Sequence, residues 1–139
     1  MNLLHGDPVE RLSEEESWAF LESQEFARLA FAIAGEPDIV PINIYARDRI
    51  VYFRTAEGSK LLGITVNANV ALEADAIAGD QATSVIVHGT ARELERDSEY
   101  DYADSLPLRS WVPTLKYHYV AITCEEITGR RFHLGEPQE

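Results

Sequence analysis

The sequence predicts a mainly β fold: a closed antiparallel β-barrel of six strands with two or three small helices added. Six runs rich in β-branched, aromatic and other apolar residues are bounded by turn-forming residues, and most of their connections are short. Closure removes exposed edge strands, which suits a small domain whose single cysteine cannot form an intrachain disulfide. A β-sandwich is the structural alternative, because the alternation of apolar and polar residues does not distinguish the two folds.

The first predicted element is a short amphipathic helix over residues 13–24. Ser13 and Glu16 have the spacing of a capping box, in which each side chain binds the backbone N–H of the other residue. Trp18 and Leu21 follow at helical spacing and predict the buried face. The preceding residues 1–12 are expected to form a flexible N-terminal arm.

Three strands joined by short turns are predicted after this helix. Pro41 lies inside the second of them, and proline cannot donate a hydrogen bond to a β-ladder, so it indicates an edge, a bulge or a place where the sheet opens. The three strands are predicted at 27–34, 39–46 and 50–53.

The second half of the chain is predicted to complete the barrel. Short helices are expected at 58–67 and 97–106, and the remaining strands at 70–75, 82–93 and 116–125. On the long strand, the even-numbered residues from Ser84 to Thr90 share one face and Val85 and Val87 share the other. A single barrel domain is therefore expected over residues 13–134, followed by a flexible tail at 135–139.

The composition restricts the partners of this chain. It has 139 residues, 24 acidic and 12 basic, and a formal net charge of −12, which argues against binding to nucleic acid or to an anionic membrane. The sequence shows no leader that is basic and then apolar, and no apolar run of about 18 residues, so a cytoplasmic location is expected. No cluster of His, Cys and carboxylates has the spacing of metal ligands, and no metal is expected.

A candidate phosphate site lies where the third strand ends. Residues 50–53 form an apolar run, and Arg54 and Thr55 follow it directly. A short acidic-glycine turn then leads through Ser59 and Lys60 into a helix-like segment. Backbone N–H groups at the start of a helix attract anions, and Lys60 is one of only two lysines in this acidic chain. Many junctions of this composition bind nothing, so the pattern by itself is a hypothesis.

Several segments, taken in order, resemble the pyridoxamine 5′-phosphate oxidase-like family of FMN-binding split barrels. The resemblance covers roughly residues 10–133. Within the family, the chain looks closest to the small actinobacterial, nitroimidazole-reductase-like branch. Its most specific block is Phe-Arg-Thr-Ala-Glu-Gly-Ser-Lys at 53–60. The other segments that carry it lie at 27–31, 39–45, 70–75, 84–91 and 127–132.

The resemblance implies a homodimer that holds two FMN molecules in clefts between its subunits. Arg54, Ser59 and Lys60 would bind the phosphate of FMN, with Thr55 close by. The strand around Pro41 would lie along the isoalloxazine ring, and no side-chain catalyst is implied. The other cofactor-binding positions that the resemblance implies are Val40, Ile42, Asn43, Phe53, Gly58, Ser84 and Trp111.

Three conspicuous side chains have simpler interpretations. His88 alternates with polar and apolar residues on one strand, which favours a hydrogen-bonded structural histidine. His118, between Tyr117 and Tyr119, is expected in the core or in a subunit interface. Cys124 lies in an apolar strand and is expected to be a small buried hydrophobe.

The leading functional hypothesis is an FMN-dependent oxidoreductase that transfers hydride or electrons to a small organic acceptor such as a nitroaromatic or a quinone. In such an enzyme the cofactor does the chemistry, and the protein binds and orients it. The alternatives are a deazaflavin-dependent reductase, a flavin-binding protein without enzymatic activity, and a barrel whose cofactor site has decayed into an interaction module.

Overall fold

The computed structural model describes residues 9–56, 69–108 and 117–135. Eight strands and two helices form this part of the chain. The helices are α1 (Glu14–Glu22) and α2 (Arg96–Asp104). The strands are β1 (Val9–Leu12), β2 (Phe26–Ile33), β3 (Glu36–Asn43), β4 (Tyr45–Arg47), β5 (Ile50–Ala56), β6 (Asn69–Ala78), β7 (Gln81–Glu93) and β8 (Tyr117–His133).

The order of the strands shows why the sheet closes into a barrel. All strand pairs are antiparallel, and the sheet runs in the order β3-β2-β6-β7-β8-β5-β4, with β1 added against β8. Strands β3 and β4 lie at opposite ends of this order, yet only Ile44 separates them along the chain. The two ends of the sheet must therefore meet, and the predicted mainly β barrel is confirmed.

The number of strands differs from the six that the sequence predicted. The single strand expected at 39–46 is divided at Ile44, because the chain there exchanges its partner β2 for β5. The Ile44 side chain is buried, and its N–H donates to Glu25 O at 3.0 Å instead of to a neighbouring strand. Strand β1, the eighth, forms from the last four residues of the predicted N-terminal arm by pairing with the end of β8.

Two tight hairpins set the register of the first strands. Ala34 and Gly35 connect β2 to β3, and both have positive φ angles, 52° and 82°. Asp48 and Arg49 connect β4 to β5 with φ angles of 52° and 63°. Two-residue loops of this kind match the right-handed twist of the strands that they join. Pro41 lies in β3, which ends the strand order, and this fits the edge position that its missing N–H requires.

The barrel interior is filled by alternate residues of the strands. Phe53, Leu72, Val87 and Ile122 are at most 1% exposed and come from β5, β6, β7 and β8. Helix α1 adds Trp18 and Leu21 to this core. The predicted capping box is present: Glu16 N–H donates to Ser13 Oγ at 3.0 Å, and Ser13 N–H donates to the Glu16 carboxylate at 2.8 Å.

Helix α2 packs on the outside of the barrel and forms a second, smaller apolar cluster. Its Ala103 is buried there with Leu94, Tyr119 and Ala121. The Tyr119 hydroxyl donates to Asp104 of the helix at 2.6 Å, and the Tyr119 N–H donates to the Tyr100 hydroxyl at 3.1 Å. Neither described helix is long and apolar enough to cross a membrane.

Gly89 of β7 lies so close to the backbone of β8 that no side chain would fit there. The register of these strands shifts between His88 and Gly89, and a Cβ atom at Gly89 would collide with the carbonyl group of Thr123. Gly89→Ala should therefore lower the free energy of unfolding by about 2–3 kcal/mol, since a backbone atom cannot move aside cheaply. Urea denaturation measures this change. Gly135→Ala, where a Cβ would meet nothing within 4 Å, is the control and should be nearly neutral. Equal stability of the two variants would contradict the close approach.

Candidate functional site at the end of strand β5

Strand β5 presents the predicted phosphate-binding residues at its C-terminal end. Phe53 and Thr55 are 0% and 4% exposed and point to the barrel interior, while Arg54 between them is half-buried on the outer side. The strand ends at Ala56, which pairs with Tyr117 in the last pair of the β5–β8 ladder. The strand end thus places a cation and a hydroxyl next to each other on opposite faces of the sheet.

Arg54 is held in place by contacts with the segment after α2 and with β8. Its Nη2 donates to the carbonyl oxygen of Leu108 at 2.8 Å, and its guanidinium lies 4.5 Å from the centre of the Tyr117 ring. An arginine side chain has five N–H donors in a planar fork, so one bond to Leu108 leaves others for a ligand. The geometry gives a pre-oriented cation that can bind an oxyanion through two donors.

Thr55 has a buried hydroxyl group whose hydrogen-bonding capacity is not satisfied by the described residues. Its Oγ1 has no hydrogen-bond partner among the described residues, although burial removes it from water. Leaving a buried hydroxyl unsatisfied costs about 1–3 kcal/mol, so such groups are expected to meet a ligand, water or another part of the chain. A phosphate oxygen, which accepts hydrogen bonds, is chemically suited to this position.

Part of the predicted site lies outside the described residues. Gly58, Ser59 and Lys60 follow β5 in the sequence, and Trp111 precedes β8, but none of the four belongs to the described part of the chain. Their predicted role at the phosphate and beside the flavin stays a prediction.

The predicted ring-binding segment, Val40 to Asn43, forms the second half of β3. Ile42 is 6% exposed and belongs to the barrel core, and Val40 packs against that core. Pro41 is exposed on the outer face, and Asn43 is half-buried at the strand end. Of the four residues, Pro41 is thus the one that is exposed on the outer face, where a planar ring could pack against it.

Ser84 lies in a different region of the chain from Arg54. It pairs with Arg130 across the β7–β8 ladder, whereas Arg54 pairs with Tyr119. The two partners, Tyr119 and Arg130, are eleven residues apart on β8, a separation of roughly 36 Å along an extended strand. A single copy of the chain does not bring Ser84 to the strand-end site.

Ser84 belongs instead to a polar network on the outer face of the sheet. Its hydroxyl donates to Glu73 at 3.0 Å, and Arg28 bridges Glu73 and Asp75 at 2.9 and 3.0 Å. Partial burial and the neighbouring Asp75 raise the pKa of Glu73, while the bonds from Ser84 and Arg28 act in the opposite direction. Exposed apolar side chains lie around this network, among them Phe26, Ile39, Ile77 and Ile86.

The structure places His118 opposite Thr55, a neighbourhood that the sequence did not predict. His118 pairs with Thr55 in the β5–β8 ladder, and its Nδ1 lies 2.8 Å from a carboxylate oxygen of Glu93 on β7. No local pattern marks this pairing, because Thr55, Glu93 and His118 are brought together by strand register alone. The tyrosine on its N-terminal side is the one that stacks on Arg54.

A cleft of about 220 Å³ lies between α2 and the outer face of the barrel, where the first half of β5, with Ile50 and Tyr52, forms part of its wall. Tyr52 and Tyr102 meet edge to face in its wall, with ring centres 5.8 Å apart. Arg92 and Glu99 form a two-pronged ion pair at 2.8 and 2.6 Å in the same wall. Hydrogen bonds from Arg92 and from the Glu95 N–H lower the pKa of Glu99 to about 2. Among the described residues, no group of three or more His, Cys, Asp or Glu side chains could hold a metal ion.

The family model for pyridoxamine 5′-phosphate oxidase matches residues 13–131 of this chain. The chain belongs to the pyridoxamine 5′-phosphate oxidase family. The match includes every described strand except β1 and the last residues of β8. The resemblance that the sequence indicated is thus confirmed at the level of the family.

Two solved structures and one further protein are similar to this chain over most of its length. A Corynebacterium glutamicum protein assigned provisionally as a pyridoxamine 5′-phosphate oxidase is 40% identical, with a TM-score of 0.82, and the match covers 94% of this chain and 98% of that one. The FAD-binding protein from Mycobacterium smegmatis is 39% identical, with a TM-score of 0.81, covering 91% and 100%. An uncharacterised protein of Mycobacterium tuberculosis is 42% identical over 87 residues, which is 63% of this chain and 79% of its own.

The Arg92–Glu99 pair that anchors α2 beside this family's barrel should stabilise the fold above a defined pH. Because the pKa of Glu99 is lowered by folding, its contribution is complete above the unfolded value of about 4.3 and is lost as the pH falls towards 2. Arg92→Gln should lower the free energy of unfolding by about 0.5–1 kcal/mol at pH 7, a figure reduced for the exposure of the pair. Denaturant titrations between pH 7 and pH 3 should show this loss shrinking.

Arg49→Gln is the control for that series, since it removes the more exposed ion pair with Glu14 of α1. Its effect should be smaller at pH 7 than that of Arg92→Gln. If the loss in Arg92→Gln were constant down to pH 3, the lowered pKa of Glu99 would not contribute to stability.

Proposed function

We propose that this protein binds a flavin nucleotide at the end of β5 and uses it to transfer hydride or electrons to a small organic acceptor. The observation that carries the proposal is that two suitable donors are neighbours in the sequence at this strand end. Arg54 is half-buried and is oriented by Leu108 and Tyr117. The buried hydroxyl of Thr55 has no hydrogen-bond partner among the described residues. Because the two side chains point to opposite faces of the sheet, a phosphate that takes hydrogen bonds from both would lie at the end of the strand and not over either face. In a chain of net charge −12, such a cationic position is a local exception.

The family and one solved relative support the identity of the ligand. The M. smegmatis protein, 39% identical over 91% of this chain, is an FAD-binding protein. FMN and FAD share the isoalloxazine ring and the phosphate attached to its ribityl chain, so the same strand-end site suits either one. FMN is the cofactor that the sequence predicted, and FAD is the second candidate because of this relative.

A flavin, when bound, would supply the acceptor and donor of a hydride or of single electrons. The residues of this chain would bind and orient it. Arg54 and Thr55 would fix the phosphate, and the outward surface of β3 around Pro41 would support the ring. The cleft between α2 and the barrel, with Tyr52 and Tyr102 in its wall, is a candidate place for a small planar acceptor such as a nitroaromatic or a quinone. A flavin-binding protein without turnover and a deazaflavin-dependent reductase are the remaining alternatives.

The separation of Ser84 from Arg54 supports a site made by two copies of the chain. Ser84 and the exposed apolar residues around it form an outer face of β2, β6 and β7 that a second copy could cover. Packing this face against the strand-end site of another copy would bring Ser84 to the flavin, as the resemblance to the family implies. We therefore include a homodimer with the cofactor at the subunit interface in the proposal.

The first test is a titration of the purified, flavin-free protein with FMN, FAD and riboflavin, followed by flavin fluorescence. Arg54→Gln should weaken FMN and FAD binding about tenfold, equivalent to ~1.4 kcal/mol, because a charged hydrogen bond to the phosphate is lost. Riboflavin, which has no phosphate, should bind both proteins equally. Lys60→Ala, chosen from the sequence, should act in the same direction as Arg54→Gln.

Arg49→Gln is the matched control, because it removes a cation from an exposed turn and should leave all three affinities unchanged. Absence of FMN and FAD binding would refute the proposed cofactor, and a titration with the deazaflavin would follow. Binding without reoxidation by quinones or nitroaromatics after chemical reduction would favour the non-enzymatic alternative.

The two-copy site predicts that flavin binding and dimer formation are linked. Sedimentation velocity over a range of protein concentrations, monitored at a flavin wavelength, should show flavin absorbance in the dimer and none in the monomer. A monomer that keeps its flavin at full stoichiometry would show that one chain suffices.

A further inference from the structure

We propose that Tyr119 and Asp104 position Arg54 for the flavin phosphate by holding the C-terminal end of α2 against the barrel. This inference rests on the proposed function, since it assigns positioning residues to the same strand-end site. In this role both residues act through Arg54, and neither needs to touch the flavin. The affinity for a flavin that carries a phosphate would then depend on how α2 is docked.

Tyr119 lies directly opposite Arg54 in the sheet. The two residues are a pair of the antiparallel β5–β8 ladder, so their side chains share the outer face of the barrel. Cβ atoms of such opposite residues are about 4.5–5.5 Å apart. Tyr119 is 6% exposed and packs there with Ala103 and Tyr100 of α2. The Arg54 side chain therefore leaves its strand beside a tyrosine that α2 covers.

The Tyr119 hydroxyl joins β8 to the last residue of α2. It donates to the Asp104 carboxylate at 2.6 Å, a distance typical of a hydrogen bond to a charged acceptor. Burial and this bond to Asp104 raise the pKa of Tyr119, whereas the guanidinium of Arg54 acts to lower it. The hydroxyl thus interacts with both charged groups, and it remains protonated and able to donate at neutral pH.

The segment after α2 provides a second contact with Arg54. Leu106 N–H donates to Ala103 O at 3.1 Å, and Leu108 N–H donates to Leu106 O at 2.8 Å, so hydrogen-bonded turns follow the helix. Leu108 packs against the apolar cluster under α2, and its carbonyl oxygen accepts from Arg54 Nη2 at 2.8 Å. The position of this carbonyl group is thereby tied to that of Asp104, four residues earlier.

Two contacts therefore connect the C-terminal end of α2 with one guanidinium. A free arginine side chain has large rotamer freedom, and fixing it costs up to about 2 kcal/mol. A guanidinium that is already held loses less entropy when a phosphate binds, so its affinity for the phosphate is higher. Release of the helix end would leave Arg54 charged but less ordered, and phosphate binding would weaken without any loss of positive charge.

Two competing interpretations make different predictions. If the Tyr119–Asp104 bond only stabilised the fold, its loss would affect flavins with and without a phosphate equally. If Asp104 acted only through its charge, its removal would strengthen phosphate binding, because a carboxylate repels an anion. Positioning predicts a weaker affinity that is specific to the phosphate.

The experiment compares dissociation constants of wild type, Tyr119→Phe and Asp104→Ala for FMN and for riboflavin, which differ by the phosphate alone. Both variants should weaken FMN binding about threefold and leave riboflavin binding unchanged. Asp104→Asn keeps an oxygen that accepts from the Tyr119 hydroxyl, so it should bind FMN at least as tightly as wild type.

A double-variant cycle tests whether Tyr119 acts through Arg54. In an Arg54→Gln background, Tyr119→Phe should weaken FMN binding further by less than about 1.5-fold, because the residue that it positions is already gone. Tyr100→Phe is the matched control: its hydroxyl accepts from Tyr119 N–H at 3.1 Å, so the variant removes a different hydrogen bond between α2 and β8. Its affinities for FMN and riboflavin should both equal those of wild type.

A measurement without ligand complements the titrations. The Nε–H signal of Arg54 in the NMR spectrum of the flavin-free protein is identified by its absence in Arg54→Gln. Tyr119→Phe should shift or broaden this signal, and Tyr100→Phe should leave it in place. An Arg54 signal that is the same in wild type and Tyr119→Phe would contradict the positioning role.

Equal losses for FMN and riboflavin, tighter FMN binding by Asp104→Ala, or an FMN-specific loss of the same size in Tyr100→Phe would also overturn the inference. If Arg54→Gln weakened FMN binding and Tyr119→Phe did not, the inference would fail and the proposed function would survive. Absence of FMN binding to wild type would overturn both.

Discussion

The meeting of the two ends of the sheet at Ile44 is the constraint on which the rest of the structure depends. Strands β3 and β4 pair with partners at opposite ends of the strand order, and one buried residue joins them. Because the joint is so short, the sheet can only be a barrel, and both faces of β5 acquire fixed neighbours. The interior receives Phe53 and Thr55, and the exterior receives Arg54 under the segment that follows α2.

Closure also fixes what lies around the end of β5. The last described pair of the β5–β8 ladder is Ala56 and Tyr117. Close to it, Arg54 lies on the outer face and is oriented by Leu108 and Tyr117, while Thr55 and His118 lie opposite each other on the inner face. Near this end of β5 and β8, Arg54 donates to the carbonyl oxygen of Leu108 and Arg96 donates to that of Tyr117.

The outer face of β2, β6 and β7 shows a second consequence of the barrel. The inward-facing residues of these strands pack in the core. Their outward-facing residues form the Arg28–Glu73–Asp75 network, and exposed apolar side chains lie around it. This outer face therefore combines an ion-paired network with exposed apolar side chains. Strand β8 is long enough to pair with β1, β5 and β7. Because Arg54 lies opposite its beginning and Ser84 opposite its end, this face and the strand-end site are far apart within one chain.

The sequence by itself determined the fold class, the capped helix α1, the turns, and the position of Arg54 and Thr55 at a strand end. These features depend on local patterns: Ser13 with Glu16, alternation along β7, and an apolar run that stops at Arg54. It did not predict the division of the second strand at Ile44, the strand formed by Val9–Leu12, or the distance between Ser84 and Arg54. Only the tertiary structure decided those, and it alone placed His118 opposite Thr55 and beside Glu93. The physical reason is that cross-strand register joins residues far apart in the chain, and no local pattern of residues specifies it.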